Sequence, residues 1–135
     1  MRTCDVIKFL RYFGLGPRFY SVDTADGAML WNTYLPDSFS SPLLSADSKT
    51  VYLGSSDNHL YAIATVDGTP RWTFQTGSFV NSNPALSRDQ RTIYVGSDDT
   101  NLYAVNAADG KQLWQFGTGA QVLSTPAVST DQQIV

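Results

Sequence analysis

Apolar residues fall along this chain in short bursts separated by polar breaks. From Phe79 it reads FVNSNPALS, breaks at Arg88 to Arg91, and resumes as TIYVGS from Thr92. It breaks again at DDT, resumes as NLYAVN from Asn101, breaks at AADG and resumes as KQLWQF from Lys111. The bursts are rich in Val, Ile, Tyr, Phe and Trp, and the breaks hold Asp, Asn, Gly and Ser, which predicts four strands. No window sustains a helical period. Connections this short favour antiparallel neighbours, because a parallel crossover usually needs a dozen or more residues.

The period itself recurs. YSVDTADGAMLW from Tyr20, YAIATVDGTPRW from Tyr61 and YAVNAADGKQLW from Tyr103 are three copies, with Trp31, Trp72 and Trp114 spaced by 41 and 42 residues. Pro42, Pro84 and Pro126 keep a 42-residue step, and Gly54 with Gly96, Asp57 with Asp99 and Leu60 with Leu102 stay in register. The pairs Asp26-Gly27, Asp67-Gly68 and Asp109-Gly110 suit tight turns, where glycine tolerates positive φ and aspartate bonds its own backbone. A four-stranded antiparallel unit at this period is the signature of a β-propeller blade.

The expected fold is therefore all-β, an incomplete arc of a β-propeller with two whole four-stranded antiparallel blades and two partial ones. Residues 1–19 are assigned to the degenerate end of a preceding blade, with Tyr12 and Gly14 as counterparts of Tyr52 and Gly54. Residues 20–135 are assigned to the repeats. Open strand edges invite pairing with other chains. The chain is expected to belong to a larger propeller or to assemble with other copies.

Composition narrows the partners. Nine basic against twelve acidic residues give a net charge of −3, spread without blocks, which offers no electrostatic footprint for nucleic acid or an anionic membrane. Cys4 is the single cysteine, so an internal disulfide and a cysteine-based metal motif are excluded. His59 is equally alone and reads as a turn residue, since zinc needs further ligands. Arg2, Lys8 and Arg11 interrupt the apolar residues of the N-terminus, which makes neither a persuasive signal peptide nor a membrane span. GTGAQV at Gly117 lacks the third glycine of a dinucleotide loop and lies between strands, and no Gly-x-Ser-x-Gly occurs.

Ala104, Asn106, Asp109-Gly110 and Trp114 resemble the tryptophan-docking motif of PQQ-like (pyrroloquinoline quinone) repeats, roughly Ala-x-Asp/Asn-x-x-Thr/Asp-Gly-x-x-x-Trp. The first copy departs with Ser21 for Ala, and the second has Ala64 where Asp or Asn is usual. The resemblance covers about Tyr20 to Val135. It implies that the Trp of one blade packs against its neighbour, making Trp31, Trp72 and Trp114, with Gly27, Gly68 and Gly110, structural blade-docking residues. A single axial cofactor cannot need the same Trp in every blade.

Residues that recur serve what all blades share, so a binding site is expected where the copies differ. In DSFSSP, FVNSNP and QVLSTP, Phe39, Asn81 and Leu123 differ while Ser40, Ser82 and Ser124 are constant. If that strand lines the central channel, as the resemblance implies, the three form part of a rim; ordinary loop variation is the other reading. Asp57 and Asp99 are expected to bond backbone amides in their hairpins, since neither carries the acidic cluster of a calcium loop.

Two function classes follow from the resemblance. One is a piece of a quinoprotein dehydrogenase that binds PQQ and calcium; such enzymes often clamp the quinone with adjacent cysteines, and this chain has no Cys-Cys. The other, adopted here, is a non-enzymatic binding or scaffold module similar to outer-membrane assembly lipoprotein propellers and to sensor propellers. Its expected partner is a protein or the remaining blades, with no catalytic, cofactor-binding or metal residues assigned and no cofactor. Localisation is open, with a lean to the extracytoplasmic (periplasmic) side from the resemblance alone.

Overall fold

The computed structural model describes residues 4–5, 10–12, 16–37, 40–131 and 135, with side chains from Arg18 onward. Among the described residues, twelve strands form three antiparallel sheets. The first holds β1 (Cys4–Asp5), β2 (Leu10–Tyr12), β3 (Gly16–Asp23) and β4 (Met29–Tyr34). The second runs β5 (Leu43–Leu44), β6 (Thr50–Gly54), β7 (His59–Ala64) and β8 (Pro70–Gln75) in sequence order. The third repeats that order with β9 (Ala85–Leu86), β10 (Thr92–Gly96), β11 (Asn101–Asn106) and β12 (Gln112–Gly117).

Register follows the repeat. Ser21 pairs with Trp31, Ala62 with Trp72 and Ala104 with Trp114, and each hairpin shifts register one residue later. In the first sheet β1 and β2 both pair with β3 on the edge opposite β4, since Val22 faces Asp5 and Met29, and Arg18 faces Leu10 and Tyr34. Tyr12 pairs with Gly16, whereas Tyr52 pairs with Ala62, whose counterpart in the repeat is Ser21. The expected equivalence of Tyr12 and Tyr52 is thus not adopted; one of its two strands runs further along β3. Gly14 lies outside the described residues.

The core lies between sheets and not within one. Because side chains alternate across a strand, β6 sends Val51 and Leu53 toward the first sheet, where they cluster with Phe19, Trp31, Leu35, Tyr61 and Ile63. Tyr52, Leu60 and Ala62 point the other way and cluster with Val80, Ile93, Val95, Tyr103 and Val105. The inner strands β6 and β7 of the middle sheet are accordingly buried on both faces, with β6 closed to solvent along its whole length. In the third sheet β12 is exposed at every position.

Local turn chemistry fixes the hairpins. Gly68 has φ 77° and Gly110 φ 73°, a region that costs a side chain energy and glycine none. Gly68 N–H donates to Ala64 O at 2.9 Å and Ala64 N–H to Thr69 O at 2.8 Å, so the loop has four residues with glycine last. Asp67 Oδ1 accepts from Thr69 N–H at 3.0 Å, and Asp109 Oδ1 from Lys111 N–H at 3.1 Å. The loop is longer than a two-residue hairpin turn, and the bulge after Ala62 or Ala104 absorbs the extra length.

Candidate functional site

The repeated residues converge at the boundaries between sheets. Trp31, 9% exposed, donates its indole N–H to Thr65 O at 2.6 Å, in the Asp-Gly loop of the next sheet. A β-carbon on Gly68 would lie 2.5 Å from Trp31 Cε3, so the bare glycine is the floor on which the ring rests. The second boundary repeats the contact. Trp72 Nε1–H donates to Ala107 O at 3.1 Å, and a β-carbon on Gly110 would lie 2.6 Å from Trp72 Cε3. Each Trp also leans on an aromatic of its own sheet, with centroids 5.9 Å apart for Phe19 and Trp31 and for Tyr52 and Trp72.

Among the described residues, Trp114 and Gly27 do not repeat this contact. Nothing among the described residues lies within 4 Å of a β-carbon built on Gly27, and Trp114 is 40% exposed. Among the described residues, Trp114 makes a ring contact with Tyr94 of its own sheet, at 5.8 Å.

Asp57 and Asp99 hold hairpins. Asp57 Oδ1 accepts from His59 N–H at 3.1 Å and Oδ2 from Tyr61 Oη–H at 2.5 Å. Asp99 Oδ1 accepts from Asn101 N–H at 3.0 Å and Oδ2 from Tyr103 Oη–H at 2.7 Å. Asp99 also reaches back to the preceding sheet, accepting from Gly77 N–H at 2.7 Å. Burial works against the Asp99 carboxylate, but the bonds from Tyr103, Gly77 and Asn101 prevail and lower its pKa. Burial, together with the Asp99 charge it bonds, pushes Tyr103 up to about 12. Tyr61 is raised in the same way, by burial first and then by Asp57. His59 opens β7 with Nδ1 at 2.9 Å from Asp57 O.

The residues before the prolines split into three kinds. Ser40 and Ser82 are buried and accept the N–H of Gly54 at 2.9 Å and of Gly96 at 2.7 Å, while Ser124 is exposed. Asn81 is exposed and bridges Ser56 Oγ at 3.1 Å and Asp98 Oδ2 at 3.0 Å; Leu123 is 57% exposed. Phe39 lies outside the described residues. The third kind is absent from the sequence reasoning. Ser41 N–H donates to Asn83 Oδ1 at 2.7 Å, and Asn83 Nδ2–H donates to Thr125 Oγ1 at 3.0 Å, linking successive repeats side by side. The available signal was Asn83 and Thr125, two hydrogen-bonding side chains at a 42-residue step.

A cleft of ≈ 450 Å³ opens where the second sheet meets the third, lined by Ser45, Asp47, Tyr52, Arg71, Gln90 and Ala107 among others. Its polar groups serve the frame: Asp47 accepts from Ser45 Oγ at 2.6 Å and Lys49 N–H at 3.0 Å, and Gln90 Oε1 accepts from Ala46 N–H at 2.9 Å. Among the described residues, no helix is long and apolar enough to cross a membrane.

The family model described as outer membrane protein assembly factor BamB matches residues 10–88 and 80–135. No curated protein matches the chain. Among solved structures, that of BamB from Moraxella catarrhalis is similar, with a TM-score of 0.65 and 21% identity over 74% of this chain. The match covers 31% of that chain, so this sequence spans about a third of its length. At that identity the likeness establishes a shared propeller fold.

Proposed function

Because the chain belongs to the BamB family of PQQ-like repeat propellers, we propose that it is a non-enzymatic binding and scaffold module. It works with protein partners in outer-membrane protein assembly, on the extracytoplasmic side. The observation that supports this, beyond the family, is how the recurring polar side chains are used. Asp57, Asp99, Ser40, Ser82 and Asn83 hold turns and neighbouring repeats. What differs between repeats stands at exposed positions such as Asn81 and Leu123, where a rigid frame presents short loops to a partner. The blade-docking role of Trp31, Trp72 and Trp114 is part of the same proposal, since recognition by loops depends on the frame that spaces them.

Calorimetric titration of the chain with an unfolded outer-membrane protein tests the proposal. Saturable binding is expected, weakened about tenfold by Leu123→Asp, a substitution at a site exposed enough to spare the fold. No saturable binding at high micromolar concentration would overturn it. A parallel titration with PQQ and calcium is expected to give no saturable heat; stoichiometric uptake would favour the quinoprotein dehydrogenase instead.

A further inference from the structure

We propose that the cleft between the second and third sheets binds a free α-amino acid, with Arg71 taking its carboxylate and Asp47 its ammonium. Small-molecule capture there is independent of the partner binding proposed above. Both sheets that wall the cleft have four strands, and its ≈ 450 Å³ is of the size that small ligands occupy, about 300–1,000 Å³.

At this cleft the repeat departs from its own pattern on both walls. Arg71, the residue before the docking Trp, is Leu30 and Leu113 in the other two copies. Leu30 packs on the core of the first boundary, whereas Arg71 is exposed and lines the cleft. On the facing wall, Ala107 and Ala108 stand where the second copy has Thr65 and Val66, and Gln90 stands where it has Ser48. Thr65 Oγ1–H donates to Ser48 O at 2.7 Å, but Ala107 carries no hydroxyl to reach the Gln90 carbonyl. One wall thus gains a guanidinium while the other loses side-chain bulk.

Variation alone does not make a site; the charges decide the ligand. Arg71 Nη2–H donates to Lys49 O at 3.2 Å, which holds the guanidinium at the cleft and leaves its other N–H groups without a partner among the described residues. Asp47 Oδ1 accepts from Ser45 Oγ–H and Lys49 N–H, and its Oδ2 accepts no bond among the described residues. Those two bonds, and after them the charges of Lys49 and Arg71, hold the carboxyl below its usual range, so it is an anion at neutral pH. Yet no ion pair joins Arg71 to Asp47 among the described residues. Opposite charges that line one cleft without touching select a ligand that carries both signs. An anion alone would meet the Asp47 carboxylate, and a cation alone the Arg71 guanidinium. An α-amino acid presents its ammonium and carboxylate from one carbon, and Arg is suited to a carboxylate because it can donate two parallel N–H bonds. Tyr52, Ala107 and Ala108 add apolar lining for the ligand's side chain.

Amide NMR titration of the full 135-residue chain tests the site with three probes, L-leucine, L-leucinamide and N-acetyl-L-leucine. L-Leucine should shift the amides of Gln90, Ala107 and Ala108 saturably, with a Kd of about 1 mM. Leucinamide lacks the carboxylate and N-acetyl-leucine the ammonium, so each should bind about tenfold more weakly or worse. Arg71→Leu installs the residue that both other copies carry, which spares the fold, and should weaken L-leucine binding at least about tenfold by removing the carboxylate's partner. Asp47→Asn keeps an oxygen for Ser45 and Lys49 but loses the charge, and should reduce the preference for L-leucine over N-acetyl-leucine. Thermal melts of both variants check that the sheets remain. No saturable shift with L-leucine up to about 20 mM, equal binding of the three probes, or an Arg71→Leu protein that binds L-leucine as well as the unaltered chain would each overturn the assignment.

Discussion

Trp31 lies on Gly68 so closely that the ring occupies the place of a β-carbon, and its N–H reaches Thr65 O in the same loop. The partner of Trp31 is therefore the Asp-Gly loop of the next repeat, not the one that begins its own hairpin. Trp72 on Gly110 repeats the arrangement. The glycine serves twice, by accepting a positive φ and by leaving room for the indole.

Those two reasons separate by experiment. Gly68→Ala and Gly110→Ala incur both αL strain and a clash with the ring, whereas Gly27→Ala at φ 73° incurs strain alone. Strain accounts for about 1–2 kcal/mol and overpacking for a further 1–3 kcal/mol. Urea unfolding of dilute, monomeric protein should rank Gly27→Ala as the mildest of the three.

The three Trp→Ala substitutions should rank by their surroundings. Trp31→Ala and Trp72→Ala each remove a ring packed between sheets and are expected to cost about 3–5 kcal/mol. Trp114→Ala, at 40% exposed, should cost about 1 kcal/mol in the monomer. Equal losses at all three sites would show that the rings do not act across boundaries.

Thr100 offers a gain. It sits at φ 74°, a strained place for a β-branched residue, and its counterpart Asn58 has φ 73° with a side chain that tolerates it. Thr100→Asn is expected to stabilise the chain by about 1 kcal/mol, read as a rise in Tm of several degrees.

Stability should form a plateau in pH. The Asp99 pKa is lowered by folding, so its contribution is full above the ordinary value of 3.8 and is lost as the pH falls through the lower folded value. Tyr103 is raised from 10.0 to about 12, so its contribution is full below 10.0 and is lost as the pH climbs toward 12. Asp99→Asn should flatten the acid limb, and tyrosinate absorbance should appear together with unfolding on the alkaline limb. An acid limb unchanged by Asp99→Asn would contradict the assignment.

The sequence made strands and repeat unit legible because alternation and turn residues are local signals, visible in one period such as Phe79 to Phe116. The destination of each Trp was legible only through the resemblance, since the ring meets a carbonyl 34 or 35 residues downstream. The Ser41 half of the Asn83 link stayed hidden because Ser41 contributes its backbone there, and backbone donors leave no mark in a sequence, whereas the Thr125 half joins two side chains at the 42-residue step. Tyr12 misled because it was aligned by residue type, while pairing along β3 is set by the strand's own register. Of the candidate rim, Asn81 and Leu123 are exposed, and variation between repeats is the same signal for a partner surface and for a tolerant loop.

A double-mutant cycle on Trp72 and Gly110 tests the central claim, that the ring of one repeat rests on the glycine of the next. The cost of Gly110→Ala should fall by at least about 1 kcal/mol when Trp72 is already Ala, because the clash is gone and only backbone strain remains. An identical cost in both backgrounds, within about 0.5 kcal/mol, would contradict the contact and with it the account of how these sheets are joined.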